Sequence, residues 1–271
     1  MSPHLTDHRS GFRHGLTTIT RYDDPAEPTG IGFSVLVLGA GDQHRETTSG
    51  ETAFLLMAGH VDVTLGNRTV QFQRSSLFDE SPSCVHVPAG SEVRVQATSA
   101  SELTIYRSPN TKPFAPRSFQ PADTVDEQRG KGQVGGACLR LVRTIFDHAN
   151  SDANAELVLG EVVTLPGRWS SYPPHHHPQP EIYHYRFDHP QGYGHAELGD
   201  NVLKIRANDT VKILAGNDHA QCAAPGYAMY YAWVIRHLPG NPYTVPEFTA
   251  EHRWTMEKSA QVWHPKGVAD A

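Results

Sequence analysis

Short runs of β-branched and aromatic residues, each bounded by turn-forming residues, recur along most of this chain and constrain what it can fold into. Residues 33–39 (FSVLVLG) form such a run, residues 92–97 alternate between apolar and polar side chains, and Gly66-Asn67 is a typical hairpin turn. No stretch keeps a helical period for more than two turns, and 23 glycines and 20 prolines favour many tight turns. The sequence therefore predicts an all-β protein.

The predicted strands fall into two series. The first covers residues 33–39, 53–57, 61–65, 69–72, 84–89, 92–97 and 102–106, and the second covers 139–146, 157–165, 181–187, 196–198, 202–205, 210–214 and 227–235. The connection between them, residues 108–136, is polar and rich in proline, which is typical of a linker. We therefore predict two tandem β-sandwiches or barrels joined by a proline-rich linker, residues 1–120 and residues 121–271.

Charge and cysteine content exclude several classes of function. A formal net charge of −6 argues against a nucleic-acid partner, although 23 lysines and arginines suffice for one pocket that binds a small acid. Cys84, Cys138 and Cys222 are odd in number and form no C-x-x-C pair, which argues against a disulfide scaffold. Neither a secretory signal nor an apolar run of membrane-spanning length is visible, so we expect a cytoplasmic protein without membrane contact.

Most of the 17 histidines are expected to be exposed to solvent. His4, His8 and His14 lie in a polar N-terminal stretch, and His252 and His264 lie near the C-terminus. A histidine in such surroundings is more often solvated than bound to a metal, so these five carry no functional prediction.

The histidines of the segment 169–183 (WSSYPPHHHPQPEIY) form a different pattern. His175 and His177 point to the same face of an extended chain, whereas His176 points away. Glu181 follows across a short turn, and His219 comes about forty residues later. A solvated histidine run and a surface glutamate remain the plain alternative, but the combination favours a site for a divalent ion. Zinc is the first choice for three imidazoles and a carboxylate, and manganese, iron and nickel also fit.

The spacing of these residues resembles the two-part motif of the cupin superfamily, whose fold is a small jelly-roll barrel. The first part is G-x(5)-H-x-H-x(3,4)-E and the second is P-x-G-x-x-H. Gly167 lies two residues further from His175 than usual, and Ala215-Gly216 lacks the expected proline. The resemblance implies a bicupin, a chain of two such barrels.

A closer resemblance is to the 5-deoxy-glucuronate isomerase family of myo-inositol catabolism. It rests on W-S-S-Y-P-P-H-x-H at 169–177, E-I-Y-x-Y-R at 181–186 and A-A-P-G-Y-x-M-Y-Y at 223–231, and it continues more weakly at 76–82 and 87–90. The insert before Glu181 is short, and Ala-Gln follows His219 where the family has Pro-Val. The resemblance implies a metal-dependent aldose–ketose isomerase that converts 5-deoxy-D-glucuronate into 5-dehydro-2-deoxy-D-gluconate.

Such a reaction needs groups that move protons and groups that bind the sugar acid. The candidates for proton transfer are Tyr183, Tyr185 and Tyr231. The candidates for substrate binding are Tyr172, Arg143 and Arg186, since an arginine can pair with a carboxylate through a bidentate fork. For each tyrosine an ordinary core position is an alternative, Arg186 could face solvent, and the sequence does not name the general base.

The first half lacks the same set of ligands. Val93 stands where the motif P-x-G-x-x-H has histidine, and His44 alone precedes Glu51. We therefore expect a degenerate, metal-free N-terminal barrel and a metal-binding C-terminal barrel. Alternative functions are a bicupin dioxygenase and a non-enzymatic sugar-binding cupin, and a homo-oligomer is expected from base rates alone.

Overall fold

The structure, a computed structural model, describes residues 2–266, and β-strands make up most of its regular secondary structure. The helical segments in this range are three 3₁₀ helices, at Pro121–Asp123, Gln133–Gly136 and Ala250–Met256. The prediction of an all-β chain is confirmed. Within residues 2–266 no helix has the length and apolar character needed to cross a membrane.

Ten strands lie between residues 2 and 120. They are β1 (His4–Leu5), β2 (Gly15–Thr20), β3 (Gly32–Leu38), β4 (Gln43–Thr47), β5 (Thr52–Leu65), β6 (Arg68–Arg74), β7 (Cys84–Val87), β8 (Glu92–Ala97), β9 (Ser101–Arg107) and β10 (Arg117–Phe119). All but β1 belong to one antiparallel sheet, whose main path runs β10-β7-β5-β9-β3-β2. Strands β4, β6 and β8 continue this sheet beyond the bend in β5.

The long strand β5 connects the two parts of this sheet. Its first residues pair with β7 and β9, and its last residues pair with β6 and β8. The bend lies near Gly59, which has a φ of +101° and where a Cβ would lie 2.4 Å from the carbonyl oxygen of Ala100. Because only glycine accepts both that dihedral and that approach, Gly59 lets β5 turn the sheet around the core of the first half.

Eleven strands lie between residues 121 and 266. They are β11 (Glu127–Arg129), β12 (Arg140–Phe146), β13 (Leu157–Thr164), β14 (Trp169–His176), β15 (Glu181–Phe187), β16 (Tyr193–Leu198), β17 (Asn201–Arg206), β18 (Thr210–Ile213), β19 (His219–Ala223), β20 (Met229–Arg236) and β21 (Glu247–Phe248). Together with β1 they form a sheet in the order β1-β18-β15-β20-β13-β12-β11 and a second sheet in the order β17-β16-β19-β14-β21. A shared apolar core holds the two sheets together. The tandem two-barrel prediction is therefore confirmed.

The larger sheet of the second half is covered on both faces. All eight residues of β13 are buried, as in a strand between two layers. Leu157, Leu159 and Val163 join an apolar cluster with Phe33 and Leu55 of the first half. The neighbouring residues of β13 face the interior of the second half, so each face of this strand packs against a different core.

The N-terminal segment packs against the second half of the chain. Strand β1 pairs with β18, and His4 hydrogen-bonds through Nε2 to the buried carboxylate of Asp209 at 2.8 Å. Arg9 also donates to Asp209, at 2.6 and 2.7 Å. The expectation that His4 is solvated was therefore wrong, because it hydrogen-bonds to a buried aspartate that is far away in sequence. His14 does remain largely exposed.

The proline-rich connection is partly structured. Its strand β10 pairs with β7 of the first half, and its strand β11 pairs with β12 of the second half. The chain thus passes from one half to the other between Phe119 and Glu127. On this ground we retain the division at residue 120 as a proposal, with β1 as an N-terminal extension that reaches across it.

Replacing Gly160 with alanine is expected to destabilise the protein by about 1–3 kcal/mol, because the site has no room for a methyl group. A Cβ there would lie 2.3 Å from Cζ2 of Trp233 and 2.8 Å from the carbonyl oxygen of Arg143. Urea unfolding would measure the loss. Val202→Ala, at a 62% exposed site on β17, should change the free energy of unfolding by less than about 0.5 kcal/mol. Equal stability of the two variants would contradict the packing argument.

Candidate metal centre

Strand pairing brings two of the predicted histidines together. Strands β14 and β19 are antiparallel neighbours, and His175 lies directly opposite His219 in their register. The centroids of the two imidazole rings are 4.3 Å apart. Residues that are about forty positions apart in sequence therefore share one end of the smaller sheet.

The turn between the two sheets adds His177 and Glu181. Oε2 of Glu181, the first residue of β15, lies 3.2 Å from Nε2 of His177 and 3.5 Å from Nε2 of His219. The potential ligand atoms of His177, Glu181 and His219 all lie within 4.8 Å of one another. His175 lies outside that group but borders it through its contact with the His219 ring. The structure thus brings three of the four predicted ligands within reach of one ion and places the fourth beside them.

The hydrogen bonds of the imidazoles suit a metal site. In each ring Nδ1 faces a backbone carbonyl: that of Ser171 for His175 at 3.2 Å, Gln179 for His177 at 2.9 Å and Asn217 for His219 at 3.1 Å. A carbonyl can only accept, so each Nδ1 carries the proton. In the neutral rings of His175 and His219 this leaves a lone pair on Nε2, and Nε2 of His177 faces the carboxylate of Glu181. This outer hydrogen bonding is the usual arrangement of histidines that bind a metal through Nε2.

Burial favours the neutral form of two of these rings, those of His175 and His219. Loss of hydration lowers the pKa of His175 to about 4, and burial together with neighbouring imidazoles lowers the pKa of His219 well below its usual value. Burial also raises the pKa of the Glu181 carboxyl, although His177 opposes that effect. Nε2 of His219 is buried and has no hydrogen-bond partner. Lone pairs that face a buried carboxylate need a cation between them, so these residues fit a divalent ion.

His176 follows the strand parity predicted from the sequence. It is half-buried, and its Nδ1 hydrogen-bonds to Oδ1 of Asp218 at 2.7 Å. Its Nε2 lies 3.7 Å from Oε2 of Glu247. Both ring nitrogens therefore face surface carboxylates on the side away from the cluster.

A cavity of about 250 Å³ opens onto the cluster. Its wall combines polar and apolar side chains from β11, β12, β13, β14, β15 and β20 with the segment that follows β20. The lining residues are Arg129, Arg140, Val142, Thr144, Asp147, Val158, Val162, Ser171, His175, His177, Glu181, Tyr183, Tyr231, Trp233, Ile235, Tyr243, Thr244, Val245, Pro246 and Phe248. Imidazole, carboxylate, phenol and guanidinium groups thus line a single enclosure.

Two of the predicted catalytic tyrosines line this cavity. The rings of Tyr183 and Tyr231 stack with centroids 4.6 Å apart. The Tyr231 hydroxyl donates to Oγ of Ser170 at 3.0 Å and lies 3.1 Å from Oγ of Ser171. Burial raises the pKa of Tyr231 to about 12 and raises that of Tyr183 well above its usual value. Both phenols are therefore protonated at neutral pH.

The structure places Tyr185 and Tyr172 outside the cavity. Tyr185 is fully buried, and its hydroxyl donates to Oε1 of Gln221 at 2.7 Å. Tyr172 packs on Trp169 with ring centroids 5.4 Å apart. The catalytic assignment of Tyr185 and the substrate-binding assignment of Tyr172 are corrected, because neither side chain reaches the enclosure.

The two predicted substrate arginines also lie elsewhere. Arg143 is fully buried, bonds the carbonyl oxygens of Leu77 and Phe78, and pairs with the Asp126 carboxylate. Arg186 donates to Glu102 of the first half at 2.6 Å. Both side chains lie on the face of the sheet that packs against the first half. Their substrate-binding assignment is therefore corrected to a role between the two halves.

Sequence reasoning missed Arg140 and Tyr243. Arg140 shares strand parity with Val142 and Thr144, which line the cavity, whereas Arg143 has the opposite parity. That alternation was a usable signal, but the sequence does not say which face borders the cavity. Tyr243 lies 4.9 Å from the His177 ring, measured between centroids, on a loop for which no pattern in the sequence gives a position.

In the first half the carboxylate of Glu51, which stands where the second half has Glu181, takes part in hydrogen bonds within the protein. Glu51 is fully buried and bonds Nε2 of His86 at 2.7 Å. It also accepts from the backbone N–H groups of Glu156 and Leu157, at 2.7 and 2.9 Å. Within residues 2–266, the one cluster of three or more potential ligands lies in the second half. Glu51 thus helps to join the two halves.

Comparison with known proteins agrees with this fold. A protein of Shouchella clausii named 5-deoxy-glucuronate isomerase is 28% identical over 91% of this chain and 96% of its own length. The crystal structure of an IolB-like protein from Salmonella typhimurium LT2 superimposes with a TM-score of 0.79 at 24% identity, covering 91% of this chain and 97% of the other. A cupin 2 conserved barrel domain protein from Leptotrichia buccalis has the same fold, with a TM-score of 0.53 at 13% identity and coverage of 86% and 95%.

The match to a protein family covers nearly the whole chain. Residues 4–255 fit the sequence model of the KduI/IolB family, and this range includes both halves and every residue of the candidate metal centre. The chain therefore belongs to the KduI/IolB family.

Proposed function

We propose that this protein is a metal-dependent isomerase that converts 5-deoxy-D-glucuronate into 5-dehydro-2-deoxy-D-gluconate in inositol catabolism. The observation that carries the proposal is the cluster of His175, His177, Glu181 and His219 at the cavity, whose imidazoles are anchored through Nδ1. Family membership and the names of the relatives support the aldose–ketose reaction.

The cluster would hold one divalent ion, with zinc as the first choice. Such an ion polarises a carbonyl and stabilises negative charge on oxygen, which is what enolisation of a sugar requires. His177, Glu181 and His219 would be the central ligands, and His175, which contacts the His219 ring, would complete the set. Their outer hydrogen bonds hold the rings in orientation.

Tyr183 and Tyr231 are the proposed proton-handling groups. Because burial keeps both phenols protonated, each is suited to donating a hydrogen bond to a sugar oxygen that gains negative charge. Oγ of Ser171 lies within 3.4 Å of both hydroxyls and can relay a proton between them. Aldose–ketose isomerisation exchanges a carbonyl and a hydroxyl on adjacent carbons, and a pair of adjacent phenols fits that exchange.

The proposed compartment is the cytoplasm. Cys84, Cys138 and Cys222 are all free thiols, which suits a reducing environment. We propose further that the first half binds no metal and packs against the second half. Its Glu51 already accepts hydrogen bonds from His86 and from the backbone N–H of Glu156.

Removing and restoring the metal is expected to abolish and recover turnover of 5-deoxy-D-glucuronate, because none of the described side chains that line the cavity is an electrophile of comparable strength for the carbonyl. The measurement is an assay on chelator-treated protein before and after addition of Zn²⁺ or Mn²⁺, with NMR identification of the ketose. Equal turnover by protein that is shown to be metal-free would contradict the proposal. Oxygen consumption that accompanies turnover would point to a dioxygenase instead.

A further inference from the structure

We infer that Arg140 binds the carboxylate of the sugar acid and so selects acids over neutral sugars, an inference that rests on the proposed function of this cavity. Arg140 begins β12 and lines the same enclosure as His175 and Glu181. Val142 and Thr144, which follow it at intervals of two, line the cavity as well. Strand geometry thus aims this guanidinium into the cavity.

Arg140 is a half-buried cation without a counter-ion. Its Nη1 donates to the carbonyl oxygen of Cys138 at 3.0 Å. Within residues 2–266 it forms no ion pair with a carboxylate, whereas Arg143 pairs with Asp126 and Arg186 pairs with Glu102. Burial lowers the pKa of Arg140, as expected for a charge removed from water without compensation. An incoming carboxylate would supply the missing partner.

A second arginine that lines the cavity already has a carboxylate partner. Arg129 on β11 also lines the enclosure, and its Nε donates to Oε2 of Glu127 at 2.8 Å. Two carboxylates line the cavity, but Glu181 belongs to the metal cluster and Asp147 accepts from the backbone N–H of Ala149. Arg140 is therefore the guanidinium of this lining that has no carboxylate partner within residues 2–266, and such a charge attracts an anion.

The positions of these groups orient the ligand. Arg140 lies on the β12 side of the cavity, whereas His175 and His219 lie on β14 and β19 of the other sheet and His177 lies in the turn after β14. A sugar acid whose carboxylate forms a fork–fork pair with Arg140 would extend its carbonyl end toward the histidines. A neutral sugar would leave the guanidinium half-buried and unpaired. Binding sites strongly reject a ligand that leaves one of their polar groups unpaired in this way.

The test compares D-glucuronate with D-glucose as ligands of the metal-loaded protein, by isothermal titration or ligand NMR. The wild type should bind the acid more tightly. Arg140→Met, which keeps the aliphatic stem, should weaken D-glucuronate binding by about 10- to 150-fold, the loss of a charge-assisted pair. D-glucose binding and metal content should stay constant, and Arg140→Lys should fall between Arg140→Met and the wild type.

Arg168→Met is the matched control, because Arg168 is also half-buried and lies outside the cavity lining. It should keep the wild-type preference for the acid. A wild type that binds both sugars equally, or an Arg140→Met variant with unchanged preference, would overturn the inference.

Turnover of 5-deoxy-D-glucuronate separates this inference from the proposed function. No turnover, together with a preference for D-glucuronate that depends on Arg140, would remove the isomerase assignment and leave the carboxylate site. Normal turnover in Arg140→Met, with an unchanged preference for the acid, would keep the isomerase assignment and remove the carboxylate site at Arg140.

Discussion

Replacing Glu181 with glutamine is expected to abolish binding of the proposed metal and to lower kcat by at least about 10³-fold. The carboxylate is the anionic member of the cluster, with Oε2 within 3.5 Å of Nε2 of both His177 and His219. Loss of the electrophile costs several kcal/mol of transition-state stabilisation, and about 4 kcal/mol corresponds to that factor. Metal analysis and turnover, measured on the same preparation, test the prediction.

The same substitution should not destabilise the metal-free protein. Glu181 is buried, and burial raises the pKa of its carboxyl, so the neutral amide removes a desolvation cost. Metal should therefore raise the melting temperature of the wild type and leave that of Glu181→Gln unchanged. Glu197→Gln, at a half-buried carboxylate of β16 outside the cavity, is the control and should behave as the wild type. Retention of metal and activity by Glu181→Gln would remove Glu181 from the site.

Replacing Arg74 with leucine is expected to destabilise the protein by about 3–5 kcal/mol, because it removes the guanidinium that bonds both oxygens of a buried carboxylate, Glu161. The other guanidinium beside that carboxylate, Arg143, lies 3.8 Å from its Oε2 and does not replace those hydrogen bonds. Nη1 and Nη2 of Arg74 donate to the two oxygens of Glu161 at 2.6 and 2.8 Å, and both side chains are fully buried. Arg74 lies in the first half and Glu161 in the second, so this pair joins the halves. The hydroxyl of Tyr230 also donates to Glu161, at 2.6 Å.

A second variant separates loss of the pair from loss of packing. Arg74→Leu combined with Glu161→Gln should recover most of the stability, because the amide carries no charge and still accepts from Tyr230. Arg21→Leu removes an exposed pair with Asp23 and should cost less than about 1 kcal/mol. Urea unfolding measures all three. A double variant as unstable as Arg74→Leu would show that an unpaired charge is not the cause.

The sequence by itself determined the class of fold and predicted the four residues of the proposed metal cluster. Strand β15 was predicted at residues 181–187 and is observed at Glu181–Phe187, because its β-branched and aromatic residues leave no competing helical pattern. The parity of His175 and His177 followed from strand geometry alone. Strand β14 was not predicted as a strand, since Pro173 and Pro174 within it cannot donate to a neighbouring strand.

Only the tertiary structure decided which side chains border the cavity. Strands β12, β13 and β20 are packed on both faces, one against the interior of the second half and one against the first half. A strand buried on both faces lacks the apolar and polar alternation that marks an inner face. Arg140 and Arg143 are therefore equivalent in sequence, yet one faces the metal centre and the other joins the two halves.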